Sequence, residues 1–206
     1  MTLKSIFAAL LGAARHKPLA AGVLGLCLAA APSLAAGPVA SPAATALWQR
    51  LGLAAWVMQG SKRPAHLIYV ITDADCPYCH ELWVSLQPFY ASGLQVRYVM
   101  VGIVSGDSPG KAAAILEAAN PSLALDQNEK NWARLPDDLG GGTPALRKPK
   151  STTLAALRSN EALMSDLGLA GTPGLIYRSA DRALHVVQSA SDPAKLRSIV
   201  AAAAPL

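Results

Sequence analysis

Two cysteines three residues apart, set directly after an apolar run, constrain this chain more than any other feature. The stretch Thr72-Asp73-Ala74-Asp75-Cys76-Pro77-Tyr78-Cys79-His80 follows residues 66–71, which have the length and composition of a buried strand, and helical spacing begins after Cys76. A CxxC at a strand-to-helix junction is the layout of a redox dithiol. Residues i and i+3 share a helical face, close enough for their sulfurs to bond across one turn of backbone. Pro77 suits the first helical position, where a missing N–H costs nothing and φ is already set. Cys76 is therefore expected at the positive end of the helix, where the dipole and free N–H groups favour a thiolate. Cys79, one turn inside, is expected to be more buried and less reactive.

Two other uses of a CxxC exist. Half of a zinc site needs two further Cys or His ligands at suitable spacing. The third cysteine, Cys27, falls in an expected leader, and His66, His80 and His185 form no ligand pair, so no metal is expected. An inert structural disulfide is the other alternative. The redox reading calls for no cofactor beyond the Cys76–Cys79 pair itself.

The first 36 residues have the pattern of a signal peptide. Lys4, Arg15 and Lys17 are the only Lys or Arg among them, residues 18–41 carry no charge, and cleavage after Ala35 or Ala36 fits the small residues there. An uncleaved membrane anchor is the alternative, because about 20 apolar residues span a bilayer, although Pro32, Gly37 and Pro38 interrupt the run. The expected location is the periplasm, where an oxidising milieu lets a cysteine pair cycle. Eighteen Lys and Arg less those three leave 15 against 13 acidic residues, a net +2 beyond the leader, so no nucleic-acid partner is indicated. The remaining length, about 170 residues, suits one well-buried domain.

Residues 37–60 are expected to form a short linker helix, with Leu47, Trp48, Leu51 and Ala55 at helical spacing over residues 42–58. Its apolar face is expected to pack on its own domain, residues 61–206, rather than on a partner. After the CxxC, Leu82, Trp83, Leu86 and Phe89 continue a helical face that Pro88 should end, with Trp83 in the core. His80 is expected to be a partly exposed helical residue, with a tuning or proton-transfer role as the alternative. A central strand over residues 94–104 follows, then an Ala-rich helix over 108–119 and another over about 122–132. Residues 135–150, with three Pro, three consecutive Gly and the basic Arg147, Lys148 and Lys150, are expected to be a solvated loop. Helical spacing resumes from Leu154 to Leu167, and a strand follows Thr172-Pro173. Asp181-Arg182 then turns a hairpin, and Asp192-Pro193 starts a last helix.

Taken together, these motifs resemble the periplasmic thiol:disulfide interchange proteins of the DsbC and DsbG family, closer to DsbG. The residues that carry the likeness are Thr72-Asp73, Cys76-Pro77-Tyr78-Cys79-His80, Val101-Gly102-Ile103, Asp107-Ser108-Pro109-Gly110-Lys111-Ala112-Ala113, Asn160-Glu161-Ala162-Leu163-Met164 and Thr172-Pro173, and it runs from about residue 47 to the end. The resemblance implies an α/β, thioredoxin-like fold with a helical insertion between the CxxC half and the half that follows Pro173. It also implies that Thr172-Pro173 is a cis bond facing the CxxC and part of the substrate site. The family's amino-terminal dimerisation domain has no counterpart in the roughly 30 residues before the core strand. A monomer with weak isomerase activity is therefore expected.

The activity implied is thiol-disulfide exchange. Cys76 attacks a substrate disulfide, or a sulfenylated cysteine, and Cys79 resolves the adduct. Pro77, Tyr78 and His80 support the pair. The partners expected are exported proteins with cysteines and a membrane thiol-redox protein that resets the CxxC. A redox-dependent chaperone and a Cu(I) metallochaperone are the alternatives. Asp73 and Asp75, close to Cys76, are expected to oppose its thiolate.

Overall fold

The computed structural model describes residues 41–135, 138–190 and 192–205; the expected signal segment lies outside them. Among the described residues, seven strands and six α-helices follow in the order α1 (Pro42–Leu53), β1 (Trp56–Gly60), β2 (His66–Asp73), α2 (Pro77–Leu86), β3 (Leu94–Val101), α3 (Ser108–Leu116), α4 (Pro121–Lys130), β4 (Ala133–Leu135), β5 (Asp138–Gly140), α5 (Ser151–Asp166), β6 (Gly174–Arg178), β7 (Leu184–Gln188) and α6 (Pro193–Ala202). Five strands form one mixed sheet in the order β1-β3-β2-β6-β7. Only β2 and β3 run parallel, joined by α2 as a crossover; the other neighbours are antiparallel. Helices α3, α4 and α5 and the small β4–β5 hairpin lie between β3 and β6, which is the helical insertion expected from the sequence.

The alternation of side chains along β2 divides the core. Ile68 and Val70 face a layer that includes Leu82, Trp83 and Leu86 of α2, Ile115 of α3 and Leu196, Ile199 and Val200 of α6. Leu67, Tyr69 and Ile71 face the other layer, with Leu51 of α1 and Leu163 and Met164 of α5. Because both faces are covered, β2 is buried at seven of its eight positions, which is why it reads as a continuous apolar run.

The amino-terminal helix is shorter than its spacing suggests. It begins with the Ser41 hydroxyl accepting from the Ala44 N–H and Pro42 in the first turn, and it ends at Leu53, where Ala54 turns extended. Asn160 holds that break: its side chain donates to the Ala55 and Met100 carbonyls at 2.9 and 2.7 Å and accepts from the Ala55 N–H at 3.2 Å. The next residues then pair with β3 from Trp56 opposite Val99 to Gly60 opposite Gln95. Edge pairing in the sheet thus overrides helical spacing after Leu53. The helix itself packs on its own domain as expected, with Leu51 buried and the Trp48 ring edge-on to Tyr69 at 5.1 Å.

Three further segments differ from expectation. The strand after residue 94 ends at Val101, and the Ala-rich helix ends at Leu116. Residues 135–150 are not simply a solvated loop: Gly140 and Gly141 are buried, although Arg147, Lys148 and Lys150 are exposed. A Cβ at Gly141 would stand 2.1 Å from the Asn128 side-chain amide, so only glycine lets the chain pass there.

Candidate active site

The end of β2, the first turn of α2 and the loop before β6 meet at Cys76. Cys76 caps α2 with extended φ/ψ, and Pro77 is the first residue of the helix. The turn into the helix is held by the Cys76 N–H donating to the Asp73 carbonyl at 3.2 Å. The Cys76 sulfur accepts from the Cys79 N–H at 3.3 Å and donates to the Thr172 carbonyl at 3.5 Å. Thr172-Pro173 is cis, with Pro173 buried. The sequence-selected Cys76, Cys79, Thr172 and Pro173 therefore converge, while Pro77 and Tyr78 form the exposed lip, Tyr78 at 63% exposure.

The two thiols differ in their surroundings. Cys76 is lowered to about 6, mainly by the hydrogen bond with the Cys79 thiol, against burial and with help from Thr172 and the backbone N–H groups of Cys79 and Tyr78. Cys79 is pushed well above the usual thiol range by burial first and by Cys76 beside it. One thiol is thus prepared as a nucleophile at neutral pH and the other is held protonated behind it.

The aspartates before the motif do not act as free charges. Asp73 accepts from the Asp75 N–H and the Ser108 hydroxyl through Oδ1, and from the Ile103 and Val104 N–H groups at 2.7 and 3.1 Å through Oδ2. Asp75 Oδ1 is 2.6 Å from Lys111 Nζ and also accepts from the Gly141 N–H, while Oδ2 accepts from the Ser105 hydroxyl. The expected opposition to the Cys76 thiolate is therefore largely spent in bonds that tie the insertion to the CxxC turn.

His80 departs from expectation as well. It is only 9% exposed, because Trp83 and Trp132 stack near its ring at centroid distances of 6.4 and 4.8 Å and Glu129 closes one side. Its Nδ1 is 3.0 Å from Glu129 Oε2. Glu129 is itself 3% exposed, and its Oε1 accepts from Asn128 Nδ2 at 3.2 Å. Neither Glu129 nor Asn128 was singled out in the sequence, where α4 is expected only as a helix over about residues 122–132. The available signal was their spacing, since both fall on the face of Leu125, the buried face of that helix.

The chain belongs to the thioredoxin-like domain family, whose description matches residues 54–204. It is similar to the thiol:disulfide interchange protein DsbG of Pseudomonas aeruginosa, with 32% identity over 167 residues, 79% of this chain and 61% of that protein. The DsbG of Escherichia coli is also 32% identical, over 164 residues, 78% of this chain and 62% of that protein. These matches bear out the resemblance to DsbG carried by the motifs. The chain spans about three fifths of the length of the curated relatives it matches. Among solved structures, Proteus mirabilis ScsC in a transitional conformation aligns with a TM-score of 0.61 at 21% identity, over 78% of each chain. A periplasmic thioredoxin-like protein from Salmonella enterica serovar Typhimurium aligns with a TM-score of 0.55 at 21% identity, over 71% of this chain and 88% of that one. At these identities the likeness is one of fold. The mixed sheet with its helical insertion is accordingly the thioredoxin-like α/β fold.

Proposed function

We propose that this protein is a thiol-disulfide oxidoreductase that works through the Cys76–Cys79 pair on exported proteins in the periplasm. The observation that carries the reading is the asymmetry of the two thiols, with Cys76 lowered to about 6 at the start of α2 and Cys79 raised behind it. In the exchange, the Cys76 thiolate attacks one sulfur of a substrate disulfide and the substrate's other sulfur leaves as a thiolate. Cys79 then gives up its proton and attacks Cys76 Sγ; the Cys76–Cys79 disulfide forms, the mixed disulfide breaks, and the substrate leaves with two reduced sulfurs. Thr172 and Pro173 line the place where the substrate chain lies against Cys76, in reach of the Thr172 carbonyl. Pro77 starts the helix, and exposed Tyr78 gives the substrate an aromatic surface. A sulfenylated cysteine is open to the same attack, with water leaving.

The membrane partner we propose is a dithiol protein that exchanges electrons with the CxxC and resets it. The periplasmic assignment is supported by the signal-like leader, and no helix among the described residues is long and apolar enough to cross a membrane. A monomer is supported by α1, whose Leu51 and Trp48 are used inside its own domain.

Turnover of a model protein disulfide with dithiothreitol as the reductant tests this reading. The expected result is catalysis by the wild type, none by Cys76→Ser, and a stalled single attack by Cys79→Ser. Undiminished turnover by Cys76→Ser would overturn the assignment.

A further inference from the structure

We propose that this protein carries a second binding site, for a carboxylate with an apolar group beside it, at the end of β6 remote from the CxxC. Strand β6 starts at Gly174, next to Pro173 of the redox site, and ends at Arg178. There a cavity of about 390 Å³ is lined by Trp48 of α1, Arg178, Ser179, Arg182 and Pro205. The proposal goes beyond the dithiol reading and does not depend on it.

The chemistry of the site follows from Arg178. The residue as a whole is half-buried, but its Nε and Nη2 atoms are fully buried and have no hydrogen-bond partner. They are the only such side-chain nitrogens or oxygens among the described residues. These two N–H groups make up one edge of the guanidinium, the edge that meets both oxygens of a carboxylate at once. A guanidinium keeps its charge, so it cannot relieve two unpaired donors by losing a proton as a buried lysine can. Buried donors without partners oppose folding, and each calls for a partner. The Trp48 ring centroid lies 5.0 Å from the guanidinium carbon, which covers a face of the cation but uses neither donor.

The neighbouring acids are engaged elsewhere. Asp181, in the β6–β7 turn, accepts from the Ser179 hydroxyl and the Ala183 N–H, and Asp166 of α5 pairs with Arg50 at 2.7 Å. Among the described residues neither Arg178 nor Arg182 makes an ion pair. Burial, and then repulsion by Arg182, lower the pKa of Arg178, and an anion in the cavity relieves both effects.

Backbone contacts hold the walls in place. The Ala204 N–H donates to the Arg178 carbonyl at 2.7 Å and the Leu67 N–H to the Ala204 carbonyl at 3.0 Å, so the chain before Pro205 is pinned to the sheet. Across the turn, Arg182 has φ of 67°, a region that long side chains rarely enter, and its N–H donates to the Ser179 carbonyl at 2.8 Å. Trp48, Ala180 and Pro205 make part of the lining apolar, which favours a carboxylate carrying an apolar group over a bare inorganic anion.

Titration of the protein with N-acetyl-leucine, followed by NMR, tests the site. The acid should shift the Arg178 Nε–H signal and the amides of residues 179–182. N-acetyl-leucinamide, which lacks the carboxylate, and inorganic phosphate, which lacks the apolar group, should each bind about tenfold more weakly or worse. A tetrapeptide ending in a leucine carboxylate separates the two sources of such a group: tighter binding than N-acetyl-leucine assigns the site to the chain ends of proteins, and equal or weaker binding assigns it to small organic acids. Arg178→Lys keeps the charge without the two-pronged edge and should weaken the acid by about tenfold. Arg182→Gln, a change at an exposed position that leaves folding intact, should weaken it by less. Cys76→Ser should bind like the wild type, which separates this site from the redox assignment. Equal binding of the acid and its amide, phosphate binding as tightly as the acid, an Arg178 signal that the acid does not move, or wild-type affinity in Arg178→Lys would each overturn the proposal.

Discussion

Lys111 Nζ lies 2.6 Å from Asp75 Oδ1, and this contact decides how much negative charge stands one residue from the reactive thiol. The lysine comes from α3 in the insertion and also donates to the Gly141 carbonyl at 2.9 Å, so one ammonium joins the CxxC turn to the triglycine segment. Both side chains are largely enclosed, with 14% and 4% exposure. Removing the cation leaves a buried carboxylate without its counter-charge. Lys111→Met should therefore destabilise the protein by about 3 kcal/mol in urea unfolding and raise the Cys76 pKa. The double variant Lys111→Met with Asp75→Asn should recover most of both effects. A single variant as stable as the wild type would show that the pair carries no weight.

Gly141 supports a second expectation. Its N–H donates to the Ala74 carbonyl at 3.1 Å and to Asp75 Oδ1 at 3.2 Å, which brings its backbone against Asn128. Gly141→Ala forces a Cβ to within 2.1 to 2.3 Å of the Asn128 amide. A loss of about 1–3 kcal/mol is expected from such overpacking, together with faster exchange of the Gly141 amide proton. An unchanged melting curve would contradict this packing.

The parts of this site that were legible in the sequence are those with local signatures. Cys76, Pro77 and Cys79 announce a helix start by spacing, and Trp83 announces the core by helical period. Asp73 and Asp75 were legible as charges close to Cys76 but not as bonded ones, because their partners Ile103, Val104, Ser105, Ser108 and Lys111 are 30 to 36 residues away. The burial of His80 depended in the same way on Glu129, 49 residues on. The break after Leu53 depended on Asn160, more than a hundred residues away. Periodicity describes a segment's own faces, whereas these features are set by what packs against them.

Glu129 should also set a pH dependence of stability. Its folded pKa, about 8, lies above the unstructured value of 4.5, so the native state keeps a proton that the unfolded chain gives up. Its contribution is fully present below about pH 4.5 and is lost as pH rises to about 8, on the order of 5 kcal/mol in all. Denaturant unfolding of the wild type and of Glu129→Gln between these limits checks this. The variant should lose less stability than the wild type over the interval, and parallel profiles would contradict the buried acid.

Cys76 acts in the opposite direction in the reduced protein. Its folded pKa, about 6, lies below the free value of 9.0, so it contributes stability that is present above about pH 9 and is lost as pH falls through 6. Alkylation with iodoacetamide reads the same ionisation directly. Labelling of Cys76 should reach half its maximum rate near pH 6, while Cys79 stays unmodified through pH 8. Equal labelling of the two thiols would contradict the assigned asymmetry.

The most direct test of the central claim, that exchange begins at Cys76, is to trap the covalent intermediate. Reduced Cys79→Ser is mixed with a peptide containing one disulfide, quenched with acid, and analysed by mass spectrometry after proteolysis. The expected product is a stable mixed disulfide joining Cys76 to one half of the peptide, with none formed by Cys76→Ser under the same conditions. A protein that forms no adduct in Cys79→Ser, or that forms it equally well through Cys79 in Cys76→Ser, would contradict the account.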